Sequence, residues 1–168
     1  MDKNLIKIEG ERIFLRILTE KDATEKYCSW INDPDVNEYL NSKSITKNEL
    51  KQYINVRYND PNCLFFGIFL KQNDIHIGNV KLEPIDFQSG IATLGILIGE
   101  KNYWSNKFAT ETLKTLITYA FNNLNLNQIN LGVYKENIAA IKAYKKSGFK
   151  IYEEDEKSYK LKVVKKIW

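Results

Sequence analysis

Histidine is almost missing from this chain: His76 is the single one in 168 residues. A Ser–His–Asp or Cys–His catalyst would have to use it, and it sits in the apolar run Ile75-His76-Ile77, where an imidazole reads as structural. Cysteine is scarce too. Cys28 and Cys63 stand 35 residues apart with no CxxC spacing, so neither a disulfide framework nor a Cys/His metal cluster can be assembled. Both thiols are expected to pack in the core, reduced, in a cytoplasmic protein. No apolar run approaches the ~20 residues that span a membrane. Met1 to Gly10 lacks the apolar stretch of a secretory signal.

Arginine is the third shortage. Arg12, Arg16 and Arg57 are the only three, so 22 of the 25 basic residues are lysine, against 21 acidic residues and a net charge of +4. Planar bidentate recognition of phosphate or guanine favours arginine, which argues against a nucleic-acid partner. Three prolines and eight glycines exclude a collagenous or low-complexity chain. There is no P-loop GxxxxGK[ST], no GxGxxG after a strand, no HExxH and no GxSxG. The chemistry must be of a kind that needs few ionisable side chains.

What is present is an ordinary globular composition, 43% hydrophobic, 12% aromatic and 27% charged. Residues 1–168 are expected to form one domain, long enough to bury a core without a disulfide or metal. Arg12 to Leu18 is a strand candidate. Thr19 is placed as the cap of a helix carrying Ala23, Tyr27, Trp30 and Ile31, broken at Asn32-Asp33-Pro34-Asp35. Thr46 with Glu49 forms a capping box before Leu50, Tyr53 and Ile54. Cys63–Leu70, Ile75–Leu82 and Ile91–Ile98 are extended candidates. Ala109, Leu113, Leu116, Ile117, Ala120 and Phe121 mark a helix from Asn106 to Asn123. Then come strand Ile129–Val133, helix Asn137–Ser147 stopped by Gly148, and strands Phe149–Tyr152 and Tyr159–Val164. Of the five lysines between Lys157 and Lys166, Lys160 and Lys162 alternate with Tyr159, Leu161 and Val163, as on the solvent side of a strand, where lysines would also blunt an edge. The order describes an α/β or α+β domain around one mixed sheet.

Two places could carry chemistry. Leu94 to Gly99, the loop from Glu100 to Ser105 and the helix after it bring a strand end to a helix N-terminus. Such a junction can bind a pyrophosphate or be a plain connection. In Asn137-Ile138-Ala139-Ala140-Ile141-Lys142-Ala143-Tyr144, Asn137 and Tyr144 are two turns apart, ~10 Å along one face. Asn137 could be simply an N-cap, and Tyr144 a core residue.

Tyr103-Trp104-Ser105-Asn106-Lys107-Phe108-Ala109-Thr110-Glu111-Thr112 resembles the acetyl-CoA-binding segment of the GNAT N-acetyltransferase superfamily. Asn137-x-x-Ala140-Ile141-x-x-Tyr144-x-x-x-Gly148-Phe149 resembles the motif that follows it. Gly10-Glu11-Arg12-Ile13-Phe14-Leu15-Arg16 and Trp30-Ile31-Asn32-Asp33-Pro34-Asp35-Val36 are similar to the branch with ribosomal-protein-alanine and amino-sugar acetyltransferases. The resemblance spans residues ~10–155. It implies the GNAT fold, a single central mixed and mostly antiparallel sheet flanked by helices, with acetyl-CoA as co-substrate. By the same resemblance Leu97, Ile98 and Gly99 end the strand that meets the pantetheine and acetyl group. Backbone N–H groups of Trp104, Ser105, Asn106, Lys107, Phe108, Ala109 and Thr110 would take the pyrophosphate. Asn137 would contact the cofactor arm, and Tyr144 would protonate the departing thiolate. These roles suit a histidine-poor chain, because direct attack by a neutral amine needs no protein nucleophile.

Two departures stand out: the family usually carries glycine where this chain has Ser105 and Lys107, and glycine tolerates φ > 0. Cofactor binding is therefore expected to be weaker or differently posed. Glu83 in Leu82-Glu83-Pro84 is the candidate base, with a solvated strand-end carboxylate or a water chain as alternatives. With no conspicuous base, an amine of low pKa is favoured over a lysine side chain near 10.4. The acceptor is expected to be a primary amine on an amino sugar, sugar nucleotide or small metabolite. A ribosomal-protein-type N-terminal amine, or a CoA-binding module without turnover, is the alternative. No metal, membrane or nucleic acid is expected to take part, and a homodimer is left open.

Overall fold

The computed structural model describes residues 2–168. A 3-10 turn, Lys3–Leu5, leads into two short strands, β1 (Lys7–Glu9) and β2 (Ile13–Ile17). Three helices follow, α1 (Glu25–Asn32), α2 (Pro34–Asn37) and α3 (Lys47–Asn59). Strands β3 (Leu64–Leu70), β4 (His76–Asp86) and β5 (Ile91–Ile98) lead to the long helix α4 (Phe108–Asn123). The chain ends through β6 (Gln128–Tyr134), α5 (Ile138–Lys146), β7 (Lys150–Glu154) and β8 (Ser158–Val164). All eight strands lie in one sheet, in the order β1-β2-β3-β4-β5-β6-β8-β7. Every neighbouring pair is antiparallel except β5 and β6. The expected mixed, mostly antiparallel sheet is the one observed.

Pattern explains the layers. β3 reads Leu-Phe-Phe-Gly-Ile-Phe-Leu and is buried at every position, as a strand covered on both faces must be. On one face Leu15, Phe66, Val80, Leu82 and Leu94 pack against Leu113, Leu116, Ile117 and Phe121 of α4. On the other, Phe14, Phe65 and Phe69 pack against Tyr27 and Trp30 of α1 and Leu50 and Ile54 of α3. Each such fully buried side chain contributes about 1.5–3 kcal/mol of transfer free energy.

His76 belongs to the second layer. Its ring stacks on Phe69 at 4.7 Å and meets Trp30 edge-on at 4.9 Å. Its Nε2 faces two acceptors, Asn79 Oδ1 at 2.8 Å and the Gly78 carbonyl at 2.9 Å, so that nitrogen carries the proton. Burial pushes its pKa below the ordinary 6.5. The expectation of a structural histidine holds, and both cysteines are buried and free.

Several boundaries differ from expectation for local reasons. Thr19 caps only a 3-10 turn, Glu20–Asp22, because the Asp22 carboxylate accepts from the Thr19 amide and binds both Arg16 terminal nitrogens at 2.7 and 2.9 Å. Thr24 is the cap of α1. Pro34 ends α1 as expected, and then opens the one-turn α2 from its first position. The Thr46–Glu49 capping box is present. Gly148 takes φ +90, and Asn137 caps α5. The lysine-bearing strand β8 does show Lys160 outward and Leu161 and Val163 inward. It is an interior strand, however, with β7 outside it, so its lysines blunt no edge.

Candidate active site

β5 and β6 pair only from Ile91 to Thr93, against Gln128 to Asn130. Beyond that point β5 stays with β4 up to Ile98. β6 stays with β8 up to Tyr134, so the sheet splits into two halves. A cavity of about 450 Å³ fills the split. Leu94, Gly95, Ile96 and Leu97 line one wall and Gly132, Val133 and Tyr134 the other. Successive strand residues point to opposite faces, so a wall made of consecutive residues means that the cavity passes through the sheet. Val36, Tyr39, Leu40 and Asn41 close it on the α2 side, while Asn137, Tyr144 and Ser158 complete it. No lining side chain carries a charge.

Gly95 and Gly132 bring no side chain to these walls. A Cβ on Gly132 would meet nothing within 4 Å, and one on Gly95 would meet only the Lys81 stem at 3.6 Å. Across the mouth Tyr39 and Tyr134 face each other with ring centroids 6.1 Å apart. The two glycines, lying inside strands, were the signal that could have marked this gap, since an interior glycine often marks a close approach. Nothing periodic pointed to residues 36–41.

Tyr144, on α5, is 7% exposed and packs edge-on against Phe149 at 5.8 Å. Its hydroxyl has no protein partner among the described residues, and burial pushes its pKa up to about 12. Asn137 accepts from the Ala140 amide at 3.2 Å, and its Nδ2 is left for a ligand. The structure thus brings Asn137, Tyr144 and the end of β5 together. Leu97 lines the cavity. The Ile98 carbonyl accepts from Trp104 Nε1 at 2.8 Å, and the Gly99 amide donates to the Ile77 carbonyl at 2.9 Å. Gly99 must be glycine, because a Cβ there would fall 2.1 Å from the Trp30 ring.

The loop before α4 carries the other sequence-predicted residues. Ser105 and Lys107 both sit in the left-handed region, φ 62 and φ 64, where the family's usual glycines would be unstrained. Lys107 is the N-cap and its side chain caps nothing, so α4 begins at Phe108 rather than Asn106. The Trp104 N–H, expected among the phosphate donors, instead donates to the Lys101 carbonyl at 3.0 Å, closing the 3-10 turn before it, whereas those of Ser105, Asn106, Lys107, Phe108, Ala109 and Thr110 make no hydrogen bond to the described residues. Six successive unpaired donors at the positive end of a 16-residue helix suit a pyrophosphate. The groups present therefore fit acetyl-CoA: donors for its phosphates, an open strand edge for its arm, and a hydroxyl near the arm's end.

Glu83 is not brought to this cavity. A β-bulge between Leu82 and Ile85, at Pro84, turns it toward α3, where its carboxylate binds Lys81 at 2.6 Å and Arg57 at 3.0 Å. Tyr53 completes the cluster, its hydroxyl 3.2 Å from Lys81 Nζ and its ring 3.5 Å from the Arg57 guanidinium. With two cations on its Oε2 and no place in the lining, Glu83 serves as a strut between β4 and α3. Among the described residues no three His, Cys, Asp or Glu could hold a metal, and no helix is long and apolar enough to cross a membrane.

Known proteins agree with this architecture. The family model for the acetyltransferase (GNAT) domain matches residues 12–150. An uncharacterized N-acetyltransferase of Bacillus licheniformis, p20, is 35% identical over 79% of this chain and 75% of its own length. The acetyltransferase PseH of Campylobacter jejuni is 29% identical over 88% of this chain and 90% of its own. Among solved structures, spermidine N-acetyltransferase from Vibrio cholerae in complex with CoA and spermine superposes with a TM-score of 0.82. It covers 92% of this chain and 96% of that one at 22% identity, a likeness of fold.

Proposed function

The chain belongs to the GNAT acetyltransferase family and is an acetyl-CoA-dependent N-acetyltransferase, and we propose that its acceptor is a primary amine on an uncharged, ring-sized group such as an amino sugar, free or nucleotide-linked. One observation carries this: the through-sheet cavity offers apolar walls, two tyrosine faces and the amides of Asn41 and Asn137, with no carboxylate. A polyamine brings further ammonium groups, which need carboxylates to leave water. A sugar brings hydroxyls and apolar ring faces, which amides and tyrosines satisfy.

In this reading residues 1–168 act as one catalytic unit in the cytoplasm. The N–H groups from Ser105 to Thr110 hold the pyrophosphate, and Asn137 Nδ2 meets the cofactor arm. When bound, acetyl-CoA supplies a thioester already activated for attack. Tyr144 stands ready as a donor toward the departing sulfur. Its pKa of about 12 keeps the proton on at neutral pH. Outright transfer to a thiolate near 8.5 would run uphill, so Tyr144 acts chiefly by holding its proton in a hydrogen bond to that sulfur. The acceptor reaches the wall at Gly95 and Leu97 as a neutral amine. An amine with a pKa near 8 can shed its proton to water without a dedicated base.

Thiol release from acetyl-CoA tests this against amino sugars, nucleotide-linked amino sugars, spermidine and a peptide with a free N-terminus. Turnover is expected with an amino sugar or its nucleotide. Spermidine as the best acceptor would overturn the reading, and the peptide as the best would replace it with the N-terminal alternative.

A further inference from the structure

Two residues without glycine's freedom hold the left-handed turns of the phosphate loop, each at about 1 kcal/mol of backbone strain. Something outside the loop must select that shape. Within it, Asn106 Nδ2 donates to the Trp104 carbonyl at 3.1 Å, and Trp104 Nε1 reaches the Ile98 carbonyl. Neither bond touches the peptide unit between Asn106 and Lys107, which lies between the two strained residues.

Arg12 does. Its Nη1 donates to the Asn106 carbonyl at 3.1 Å, and its guanidinium carbon lies 4.0 Å from the centroid of the Phe108 ring, the first residue of α4. Its Nε donates to Glu111 Oε2 at 2.8 Å, and its own backbone amide to Glu111 Oε1 at 2.7 Å. The Ile13 amide reaches the same Oε1 at 3.3 Å. One carboxylate thus gathers three donors from the start of β2, 98 and 99 residues away in sequence. Gly10 leaves room for it, since a Cβ there would fall 3.1 Å from Glu111 Oε1.

We propose that Arg12, braced by Glu111, is a positioning residue for acetyl transfer: by fixing the Asn106 carbonyl it aims the Lys107 N–H at the cofactor's pyrophosphate. The two groups belong to one planar trans peptide and point in opposite directions. Turning the carbonyl toward Arg12 therefore turns the N–H away from it, into the row that continues through Phe108, Ala109 and Thr110. Stacking on Phe108 fixes the first turn of α4 in the same act. An ion pair as exposed as this one, with Arg12 43% open, adds little to folding by Coulomb attraction alone. Its forked geometry is what lysine cannot reproduce. The inference rests on the reading that this loop takes the pyrophosphate.

Coenzyme A titrated by calorimetry against the unsubstituted protein, Arg12→Ala, Arg12→Lys and each paired with Lys107→Gly provides the test, together with kcat and the KM for acetyl-CoA. Both single variants should bind coenzyme A about tenfold more weakly, with KM raised in parallel and kcat at saturation within twofold. That tenfold corresponds to about 1.4 kcal/mol. Lys107→Gly should recover at least threefold of the loss, since glycine holds the left-handed turn unaided. Unchanged affinity in Arg12→Lys, or in Arg12→Ala where it folds, overturns the proposal, as does a loss that falls on kcat alone. If the unsubstituted protein binds no coenzyme A, the loop reading itself fails, which is distinguishable from failure of the clamp.

Discussion

The two sides of the split sheet are built on different terms. On the proposed cofactor side the candidate groups are main chain: the six unpaired amides from Ser105 to Thr110, at the start of α4, and the free edge of β5. On the proposed acceptor side they are side chains from distant parts of the sequence, with Tyr39 meeting Tyr134 across the mouth, while Tyr53, Arg57, Lys81 and Glu83, outside the lining, brace β4 against α3. A site made of backbone depends on dihedral angles and strand spacing, and tolerates side-chain change as long as these survive. The left-handed Ser105 and Lys107 illustrate this, since the glycine pattern is lost and the shape remains. A site made of side chains depends on identity, and so carries specificity.

A pair of glycines flanking the gap should expose this contrast most strongly. A Cβ on Gly78, behind β5, would fall 2.2 Å from the Leu97 carbonyl and 2.9 Å from Ile98 Cα, both backbone of β5, the strand that walls the cavity. Gly78→Ala is expected to push β5 away, at a cost of about 3 kcal/mol. The melting temperature should drop by about 6–12 °C, and coenzyme A binding should weaken with it. Gly132→Ala places its methyl in open space, so stability should move by less than about 0.5 kcal/mol. Only the KM for the amine should respond there. Thermal melts and calorimetry on both variants check it. Equal effects would mean that the two walls are not different in kind.

The same contrast governs what the sequence discloses. Helices α4 and α5 announce themselves by periodicity, by Asn137 as a cap and by Gly148 as a stop, because these signals are local. The order of the motifs then pointed to the loop before α4 and to Asn137 and Tyr144 as the proposed cofactor side. The acceptor side is assembled from contacts that no window sees. Arg57 finds Glu83 across 26 residues, and Tyr39 lies between α2 and α3 with no pattern to mark it. β1 is legible only afterwards, because a three-residue strand with one inward side chain, Ile8, has no period to detect. Glu83 shows the limit most plainly. A carboxylate at a strand end reads as a base until the bulge at Pro84 and its two cationic partners are seen.

Tyr144 is the side chain on which turnover, rather than coenzyme A binding, should depend. Tyr144→Phe keeps the packing against Phe149 and removes a hydroxyl that binds no protein group, so stability and coenzyme A affinity should stay within error. The value of kcat is expected to fall about 100-fold, the low end for loss of a positioned proton donor. Because burial holds its pKa near 12, the pH–rate profile of the parent should show no alkaline limb from this tyrosine below about pH 11. A fall in activity near pH 10 that disappears in the variant would show the hydroxyl to be more exposed than its packing implies.

The smallest expected effect separates the two sides by acid. His76 lies in the aromatic layer beneath α1, with Tyr27 and Trp30 over it, Asp22 and Arg16 the charged groups near it, and burial lowering its pKa from 6.5. The unfolded chain therefore takes up a proton first on acidification. Stability is complete above pH 6.5 and is lost as pH falls through that value toward the lower folded pKa. Asp22 cannot counter the loss there. Though burial alone would raise it, its bonds to Arg16 and to the Thr19 amide hold its pKa below 3.8, so it stays ionised. A single proton limits the slope to about 1.4 kcal/mol per pH unit. Between pH 7 and 5.5 we expect stability to fall, within that limit, as read by urea unfolding. Hydrogen exchange should rise in α1 and α3 before α4 and α5, whose layer contains no histidine. In His76→Gln, which can still offer an N–H to Asn79 and Gly78, the slope should flatten. An unaltered slope there, or simultaneous loosening of α4, would show that the acid-sensitive group lies outside the acceptor side.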